Sequence, residues 1–562
     1  MKNRRPLSKN VPILILIGAR SMIALVKTIY HVRRRHVAQE IQQAEGKPRT
    51  LSIASLGCPK NLVDAESMAG RLQSAGFQLL KDAEDVDLLL LNTCGFLRSA
   101  REEAEKYIRE ALVAKRSGSI KRLIVSGCAV ASDGEELAKR YPDVDAWISP
   151  YDEGFIGEIA KGLFAEDGGD NSAQEAQSSA LKILAPEEAA AARFFYHPTR
   201  SLVLDDTKRL SLTSPHVAYL KIADGCDRFC TYCTIPNIRG RYVSKPLSTI
   251  LDEASRLADA GVRELVLIAQ ETTFWGSDLY GKPDLARLLE ALKSRNQFDW
   301  IRVLYSYPLF WDQDLVSLFK MEEPGTTSIL PYVDMPLQHC NDALLKKMNR
   351  RADKAQTEEL LSRLREEIPD LVMRTSFIVG FPGETDEAFQ ELLAFAEKYR
   401  FERAGVFEFS PEPGAPASKY PDQVDADVKR LRYERLYAKQ ERISHQYARK
   451  LVGQTMDVML DAYALADNGE PMSHVCLGRT RADAPDVDPI VYVTGRNLQP
   501  GDIIPCEIVE VSSLDLVAVP VDPDKIYVPK DERRKAHERR EMREEGGSKK
   551  KRAKKQQGRA DN

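Results

Sequence analysis

The sequence contains no apolar run long enough to cross a membrane. The segment VPILILIGA near the amino terminus has nine residues, and Arg20 and Lys27 interrupt the stretch that follows it. A membrane-spanning helix needs about 20 apolar residues, and no small-residue cleavage site marks the segment as a signal peptide. We therefore expect a cytoplasmic protein without a membrane-inserted segment.

A disulfide framework and a zinc knuckle are not indicated either. The 562-residue chain has nine cysteines, an odd number, and six of them fall into two sets of three. Secreted disulfide scaffolds are short chains with an even number of cysteines. Zinc sites favour two separated two-cysteine pairs, and no second pair is present. The three cysteines outside the sets have no partner by spacing and are expected to be core or surface thiols: Cys340, Cys476 and Cys506.

One set, here called the loop set, is the run CDRFCTYC, in which Cys226, Cys230 and Cys233 fall within eight residues. A 4Fe-4S cluster normally takes four thiolates, so three close cysteines either borrow a distant fourth ligand or leave one iron open. The spacing resembles that of the radical S-adenosylmethionine (SAM) superfamily, in which the open iron binds SAM. A zinc site or incidental cysteines are the alternatives.

The other set, here called the strand-end set, follows three short apolar runs. LSIASLGC ends at Cys58, VDLLLLNTC at Cys94 and KRLIVSGC at Cys128. Such runs, followed by a small-residue turn and a helical pattern, predict buried parallel strands. The carboxyl ends of these strands share one edge of a doubly wound sheet, where ligands bind. We therefore expect the strand-end set to converge on one cluster, with three core thiols as the alternative.

Together the two sets resemble the methylthiotransferases of the radical SAM superfamily. The resemblance covers roughly residues 50–525 and rests on long motifs, so chance agreement is a minor concern. The motifs are SLGCPKNLVDAE around Cys58, LKIADGCDRFCTYCTIPNIRGRYVSKP around the loop set, PLQH at 336–339 and FIVGFPGET at 377–385. Within the family they are similar to the branch that modifies a ribosomal protein.

The expected fold is α/β and multidomain. An amino-terminal doubly wound α/β domain is predicted at 50–165, where strand-like runs alternate with helical patterns. Six further strand-like runs predict a central partial (β/α)6 radical SAM barrel at 206–450, which would have its active site at the carboxyl ends of the strands. Short alternating strands at 451–525 resemble a TRAM domain, a small antiparallel β-barrel.

Three segments outside these domains differ in composition. Residues 1–49 precede the resemblance and are expected to be a disordered or wrongly started extension. Residues 166–205 include EDGGDNSAQEAQSSA and predict a linker of low complexity. Residues 526–562 are expected to form a basic disordered tail, since fourteen Lys and Arg face seven Asp and Glu from residue 530 onward.

The resemblance also implies side chains that contact SAM. Tyr232 stands between two cysteines of the loop set, where the family's aromatic residue borders the adenine. Arg374 could pair with a carboxylate, and glycines allow the backbone to approach the nucleoside closely. Ion pairs and turns are the alternative interpretation of these positions. The implied SAM contacts are Tyr232, Gln270, Glu271, Arg374, Ser376, Gly380 and Glu384.

An acidic loop in the third domain points to a protein partner. The segment RADAPDVD carries Asp483, Asp486 and Asp488. In related transferases that act on transfer RNA, the corresponding domain is basic and binds nucleic acid. An acidic loop would repel phosphate and suit a basic partner, as ribosomal proteins generally are, whereas a merely solvated loop is the alternative. We therefore expect these aspartates to bind the substrate protein, with nucleic acid not the primary partner.

The family resemblance implies a complete reaction. Two 4Fe-4S clusters, one on each cysteine set, and two molecules of SAM would methylthiolate the β-carbon of an aspartate in small-subunit ribosomal protein S12. An external one-electron reductant and a sulfur donor would be further partners. Because the target C–H bond is unactivated, acid–base chemistry cannot break it, and a radical is required.

Three other functions compete with this one. A methylthiotransferase acting on isopentenyl-adenosine in transfer RNA would share both clusters. The segment Pro59-Lys60-Asn61 and the acidic loop favour a protein substrate instead. A two-cluster electron carrier would need no large barrel and would have fully ligated clusters. An RNA-binding protein with structural clusters would not cleave SAM.

Overall fold

The computed structural model describes residues 48–80, 85–165, 194–195, 206, 208–320 and 328–526. The extension expected at 1–49, the linker expected at 166–205 and the tail expected at 526–562 lie almost entirely outside these residues. In the described part of the chain, no helix is both long enough and apolar enough to cross a membrane.

The first domain is built on a parallel sheet of six strands. They are β1 (Arg49–Ser55), β2 (Phe77–Leu79), β3 (Val86–Thr93), β4 (Ile120–Gly127), β5 (Ala146–Ile148) and β6 (Phe194–Phe195). Their order across the sheet is β2-β1-β3-β4-β5-β6, with every neighbouring pair parallel. From β1 the chain continues to β2 on one side of the sheet, and from β3 it continues through β4 and β5 to β6 on the other side. The order therefore reverses between β1 and β3, which is where sheets of this kind bind ligands.

Helices cover both faces of this sheet. They are α1 (Pro59–Ser74), α2 (Arg98–Ser117), α3 (Cys128–Arg140) and α4 (Ile156–Ala165). The helices α1 and α4 bury one apolar cluster against the sheet, and α2 and α3 bury another on the opposite face. In α2 the buried residues Ala104, Ile108, Ala111 and Leu112 recur at helical spacing and form one stripe. The predicted doubly wound arrangement is confirmed.

The central domain contains a second parallel sheet of six strands and a short two-stranded ribbon. The sheet strands are β7 (Val217–Lys221), β10 (Glu264–Ile268), β11 (Trp300–Val303), β12 (Ser328–Asp334), β13 (Val372–Val379) and β14 (Arg403–Glu408). The ribbon consists of β8 (Ala223–Asp224) and β9 (Val243–Ser244). The order across the sheet is β14-β13-β12-β11-β10-β7, so that β7 and β14 form its two edges. This is the predicted partial barrel.

Helices connect the barrel strands and pack their apolar faces on the outside of the sheet. They are α5 (Ile235–Arg239), α6 (Leu247–Asp259), α7 (Ser277–Tyr280), α8 (Leu285–Ser294), α9 (Gln313–Leu318), α10 (Asp342–Lys347), α11 (Lys354–Glu367) and α12 (Asp386–Tyr399). Asp353 begins α11 with a capping box, since its side chain accepts from the backbone of Gln356 and the Gln356 side chain accepts in return.

A long helix, α13 (Ala426–Leu451), leads to the third domain, a closed five-stranded barrel. Its strands are β15 (Thr455–Leu465), β16 (Pro471–Thr480), β17 (Val491–Thr494), β18 (Ile503–Ser512) and β19 (Asp515–Pro520). The small barrel is confirmed, although β17 and β19 pair in parallel. A closed barrel with an odd number of strands cannot be antiparallel throughout. Cys476 and Cys506 are buried in its core, and Cys340 is buried in the central domain.

All three domains contribute to one apolar cluster inside the central barrel. Leu62 and Val63 enter it from α1 of the first domain, and Ala482 and Ala484 enter it from the third. The cluster also contains Tyr332 on β12, which is fully buried. The flanking domains are therefore held against the barrel by shared burial of apolar surface.

Candidate active site

The strand-end set lies where the order of the first sheet reverses. Cys58 follows β1 and precedes α1, Cys94 follows β3, and Cys128 is the first residue of α3. Gly57 has a φ of +94°, and a Cβ atom there would lie 2.6 Å from Cβ and 3.1 Å from Sγ of Cys94. Glycine is thus needed for two of these cysteines to approach each other. The strand-end set thus lies at the edge of the sheet that the apolar runs predicted.

The loop set lies beyond the carboxyl end of β7, held by backbone hydrogen bonds. The N–H of Cys226 donates to the carbonyl of Gly240 at 3.1 Å, and that of Cys233 donates to the carbonyl of Cys230 at 3.0 Å. A Cβ atom on Gly225, whose φ is +75°, would lie 2.0 Å from the Arg241 carbonyl oxygen. The loop is therefore built around close backbone contacts that only glycine allows at this position.

The donors of both sets fit an iron–sulfur cluster. Thiolates are the ligands such clusters prefer, and each binds a separate iron. Within the described ranges, no three His, Cys, Asp or Glu side chains converge so closely that they could share a single metal ion. Burial raises the pKa of Cys128 and of Cys226 to about 12. These thiols are therefore protonated without metal, and binding iron would release protons.

A buried arginine, which the sequence analysis did not single out, connects Cys128 to the segment that carries the loop set. Arg239, the last residue of α5, donates to Sγ of Cys128 from Nε at 3.3 Å and from Nη2 at 3.2 Å. Its guanidinium also pairs with Asp64 of α1 at 2.7 Å and with Asp224 at 3.2 Å. The signal was present, because Arg239 and both aspartates lie inside the long motifs that carry the resemblance.

The same network contains a second cation. Lys221 at the end of β7 pairs with Asp64 at 2.5 Å and with Asp224 at 3.5 Å. Burial, reinforced by the nearby Asp64 carboxylate, raises the pKa of Glu153 well above its usual value. Two cations, Arg239 and Lys221, thus balance two carboxylates. Such balance is what makes buried charges tolerable.

Gln270 and Glu271 follow β10 at the mouth of the barrel, as expected. Gln270 donates from Nε2 to Asp224 at 2.8 Å, while its Oε1 atom is buried without a hydrogen-bond partner among the described residues. Glu271 accepts two hydrogen bonds from the guanidinium of Arg228 in the cysteine loop. Glu271 therefore already has a cationic partner, whereas Gln270 has a free acceptor.

Lys60 reaches the same mouth from the first domain. Its Nζ atom donates to the carbonyl of Ala269 at 3.3 Å and lies 3.4 Å from the centre of the Tyr305 ring. Burial opposes the charge on this amine, but the electrostatic effect of Tyr305 and Cys58, and then of the Asp224 and Asp334 carboxylates, outweighs it and raises the pKa of Lys60. Lys60 is the second of the three residues that favoured a protein substrate in the sequence.

Tyr232 is held beside the loop set by neighbouring groups. Its hydroxyl lies 3.5 Å from Nη1 of Arg350, whose Nη2 atom donates to the carbonyl of Pro336 at 2.6 Å. Burial raises the pKa of Tyr232 well above its usual value, so the ring remains neutral. A neutral aromatic side chain at this place is compatible with the expected contact to adenine.

Arg374 does not offer a free guanidinium to SAM. On β13 it pairs with Asp334 at 3.0 Å and with Asp488 of the third domain at 3.6 Å. The expectation that it binds a SAM carboxylate is therefore not supported, because its charge is already compensated inside the barrel. Ser376 lies two residues further along the strand, and its carbonyl accepts from the N–H of Gln338 at 2.7 Å.

Glu384 is likewise fully engaged within the chain. Its carboxylate accepts from the N–H of Gly380, pairs with Arg432 at 3.0 Å and lies 3.3 Å from Nε2 of His339. The side chain has no exposed surface. A Cβ atom on Gly380 would meet Lys429 at 2.3 Å. Gly380 and Glu384 therefore hold the loop after β13 in place.

The acidic loop is mostly buried, which corrects the expectation that Asp483 and Asp488 face a basic partner. Asp483 pairs with Arg403 at 2.6 Å, and its side chain is 2% exposed. Asp488 accepts from the hydroxyl of Tyr332 at 2.5 Å and is equally buried. Asp486 is exposed and accepts from the hydroxyl of Tyr219 at 2.6 Å. Arg403 and Arg374 on the barrel strands compensate the charges of Asp483 and Asp488, for which the sequence alone indicated no partner.

Comparison with known proteins agrees with this architecture. Three family models match: Uncharacterized protein family UPF0004 at residues 50–149, the Radical SAM superfamily at 220–396 and the TRAM domain at 452–521. Among solved structures, a radical S-adenosylmethionine methyltransferase, TsrM, from Kitasatospora setae is 14% identical, with a TM-score of 0.45. The match covers 64% of this chain and 75% of that one.

Relatives that match this chain over most of its length identify its family. The ribosomal protein uS12 methylthiotransferase RimO of Trichlorobacter lovleyi is 40% identical over 469 residues, which are 83% of this chain and 97% of the relative. The protein of the same name from Clostridioides difficile is 38% identical over 468 residues, which are 83% of this chain and 98% of the relative. The chain therefore belongs to the RimO family and is a radical SAM methylthiotransferase.

Proposed function

We propose that this enzyme methylthiolates the β-carbon of an aspartate in ribosomal protein uS12. The relatives carry the name of this substrate and match nearly their full length. The observation that carries the proposal is the buried contact between Arg239 and Cys128, because Arg239 follows the loop set by six residues and so holds the segment that carries the loop set against the strand-end set. Insertion of sulfur into a C–H bond needs a radical source and a sulfur source close together.

Each cysteine set would hold one 4Fe-4S cluster. Cys226, Cys230 and Cys233 form the loop set, and the strand-end set would hold the second cluster. When bound, the loop-set cluster supplies the electron for reductive cleavage of SAM, and the second cluster supplies the sulfur. The reductant and the sulfur donor are external partners, and a second SAM contributes the methyl group.

The chain's own residues position these groups and exclude water. Gln270 has a buried free oxygen that suits the ammonium group of SAM, and the Tyr232 ring suits the nucleoside. Ser376 on β13 remains a proposed SAM contact. Glu271 and Glu384 position the site indirectly. The Glu271 carboxylate holds the cysteine loop through Arg228, and Glu384 holds the loop after β13. The buried network around Arg239 connects Cys128 to Asp64 of α1 and to Asp224, which lies two residues before Cys226.

The decisive experiment is mass spectrometry of uS12 and of transfer RNA from a strain without the gene. We expect uS12 to lose the mass of one methylthio group, and transfer RNA to be unchanged. Complementation with the wild-type gene should restore the modification, and a Cys226→Ala gene should not. Loss of a methylthio group from transfer RNA, with uS12 unchanged, would refute the proposal in favour of the RNA-modifying alternative.

A further inference from the structure

Lys60 occupies an unusual position for a lysine. It is the second residue of α1, and its side chain crosses from the first domain to the carboxyl ends of β10 and β11. The residue is 8% exposed, and the carbonyl of Ala269 and the face of the Tyr305 ring contact its amine. These contacts lie at the barrel mouth, where a substrate side chain would enter.

The Lys60 amine has no anionic partner within the described part of the chain. Two carboxylates in its surroundings already pair with other cations: Asp334 pairs with Arg374, and Asp224 pairs with Lys221 and Arg239. These carboxylates act on the ammonium group from a distance. An anion that arrives with the substrate would give the amine a direct partner.

Two further features mark the position as a binding site. Tyr305, which faces the amine, has a φ of +61°. A non-glycine residue in this conformation is strained, and such strain concentrates at functional sites. Next to Ala269, the Oε1 atom of Gln270 is buried without a partner. A donor, the Lys60 amine, and an acceptor, the Gln270 amide oxygen, thus lie at adjacent residues beyond the carboxyl end of β10.

We propose that the ammonium group of Lys60 binds the carboxylate of the substrate aspartate and so selects a carboxylate-bearing side chain. The inference rests on the proposed function, since it assigns a partner to the aspartate that is modified. It also gives a chemical reason why a protein and not a nucleobase is accepted. An adenine ring has no carboxylate to pair with the amine.

The test measures binding of uS12 to the iron-loaded enzyme. The probes are unmodified uS12 from the deletion strain and a variant in which the modified aspartate, located by mass spectrometry, is asparagine. Wild-type enzyme is expected to bind the aspartate form at least about 30-fold more tightly, the effect of losing one partner of a buried charge pair. In Lys60→Met this ratio should fall to near one, and Lys60→Arg should retain part of it.

A matched control is available on α13. Lys429 makes the same two kinds of contact, donating to the carbonyl of Phe409 at 3.2 Å and lying 5.1 Å from the centre of that ring. Lys429→Met should keep the wild-type ratio. Iron and sulfide content shows whether each variant has assembled its site, and Lys60→Gln replaces Lys60→Met if the latter loses iron.

The possible outcomes are distinct. An undiminished ratio in both neutral Lys60 variants would overturn the inference, as would weakened SAM binding with the ratio unchanged, since the amine would then hold SAM. A ratio near one in the wild-type enzyme would also overturn it, yet leave the proposed function intact if uS12 is still modified. Failure of the wild-type enzyme to modify uS12 would refute the proposed function itself.

Discussion

Nη2 of Arg239 lies 3.2 Å from Sγ of Cys128, so a residue six positions after the last loop-set cysteine contacts a cysteine of the first domain. The contact is buried, and the same guanidinium pairs with Asp64 and Asp224. The site is therefore assembled across a domain boundary. Neither domain alone would present both cysteine sets.

Replacing Arg239 by Met should lower the free energy of unfolding by about 3 kcal/mol, since buried carboxylates lose one of their two cations. The reduction potential of the strand-end cluster should become more negative, because a cation and two hydrogen bonds to sulfur are removed. Denaturant titration and a redox titration followed by electron paramagnetic resonance measure the two effects. Arg241→Met is the control, as Arg241 is exposed. Equal effects of both substitutions would contradict the assignment.

The two cysteine sets should have separable roles. Cys226→Ala should abolish cleavage of SAM to 5'-deoxyadenosine and methionine, whereas Cys58→Ala should leave that cleavage and abolish transfer of the methylthio group. Chromatography of the nucleoside product and mass spectrometry of uS12 measure the two steps. Cys340→Ala removes a buried thiol outside both sets and should preserve both activities. If Cys226→Ala and Cys58→Ala abolished SAM cleavage equally while the protein remained folded, the assignment of separate roles to the two sets would be wrong.

The acidic loop should matter for stability more than for binding. Asp483→Asn leaves the buried Arg403 without its partner and should cost about 3 kcal/mol of unfolding free energy. Asp486→Asn, at an exposed position, should cost less than about 1 kcal/mol. Denaturant titration of both variants, with their affinity for uS12, checks this. A fall in affinity that is equal for both, without loss of stability, would restore the surface role expected from the sequence.

A pH-dependent contribution is expected from Asp461 on β15. Although burial opposes its ionisation, Arg479 and then His216 hold the pKa of Asp461 below its usual value. A carboxyl group whose pKa is lower in the folded state stabilises the protein above its unfolded pKa of about 3.9 and loses that effect as the pH falls through the folded value.

Asp461→Asn should therefore cost about 2 kcal/mol at pH 7, the scale of hydrogen bonds to a charged group. The difference from wild type should shrink below about pH 4. Denaturant titrations of the wild-type protein and of Asp461→Asn, at pH 7 and below about pH 4, measure this difference in unfolding free energy. A difference that stays constant with pH would show that the ion pair with Arg479, at 2.8 Å, contributes nothing.

Much of the fold was predictable because the periodicity of apolar residues is a local property. The strand-like runs predicted at 50–165 and 206–450 correspond to the two parallel sheets, and those predicted at 451–525 correspond to the small closed barrel. The short strands β2 and β6 escaped prediction, since two or three residues carry too little pattern to be recognised. Their places at the sheet edges depend on contacts with β1 and β5.

Of the site, the sequence predicted the cysteines but not what surrounds them. Arg374 and Asp488 looked like free charges in separate motifs, and only the fold shows that they lie 3.6 Å apart. Arg239 and Asp64 are 175 positions apart in the chain, yet they form a buried pair. Charge compensation between distant segments leaves no periodic signal in either segment.

By itself, the sequence determined the domain order, the parallel strands and the two three-cysteine sets, because strand periodicity and ligand spacing are written in consecutive residues. Only the tertiary structure decided which charged side chains are free. Folding buried Asp483 beside Arg403 and brought Lys60 from the first domain to the barrel mouth. The reason is physical: a charge that leaves water must find a partner, and that partner is chosen by three-dimensional proximity.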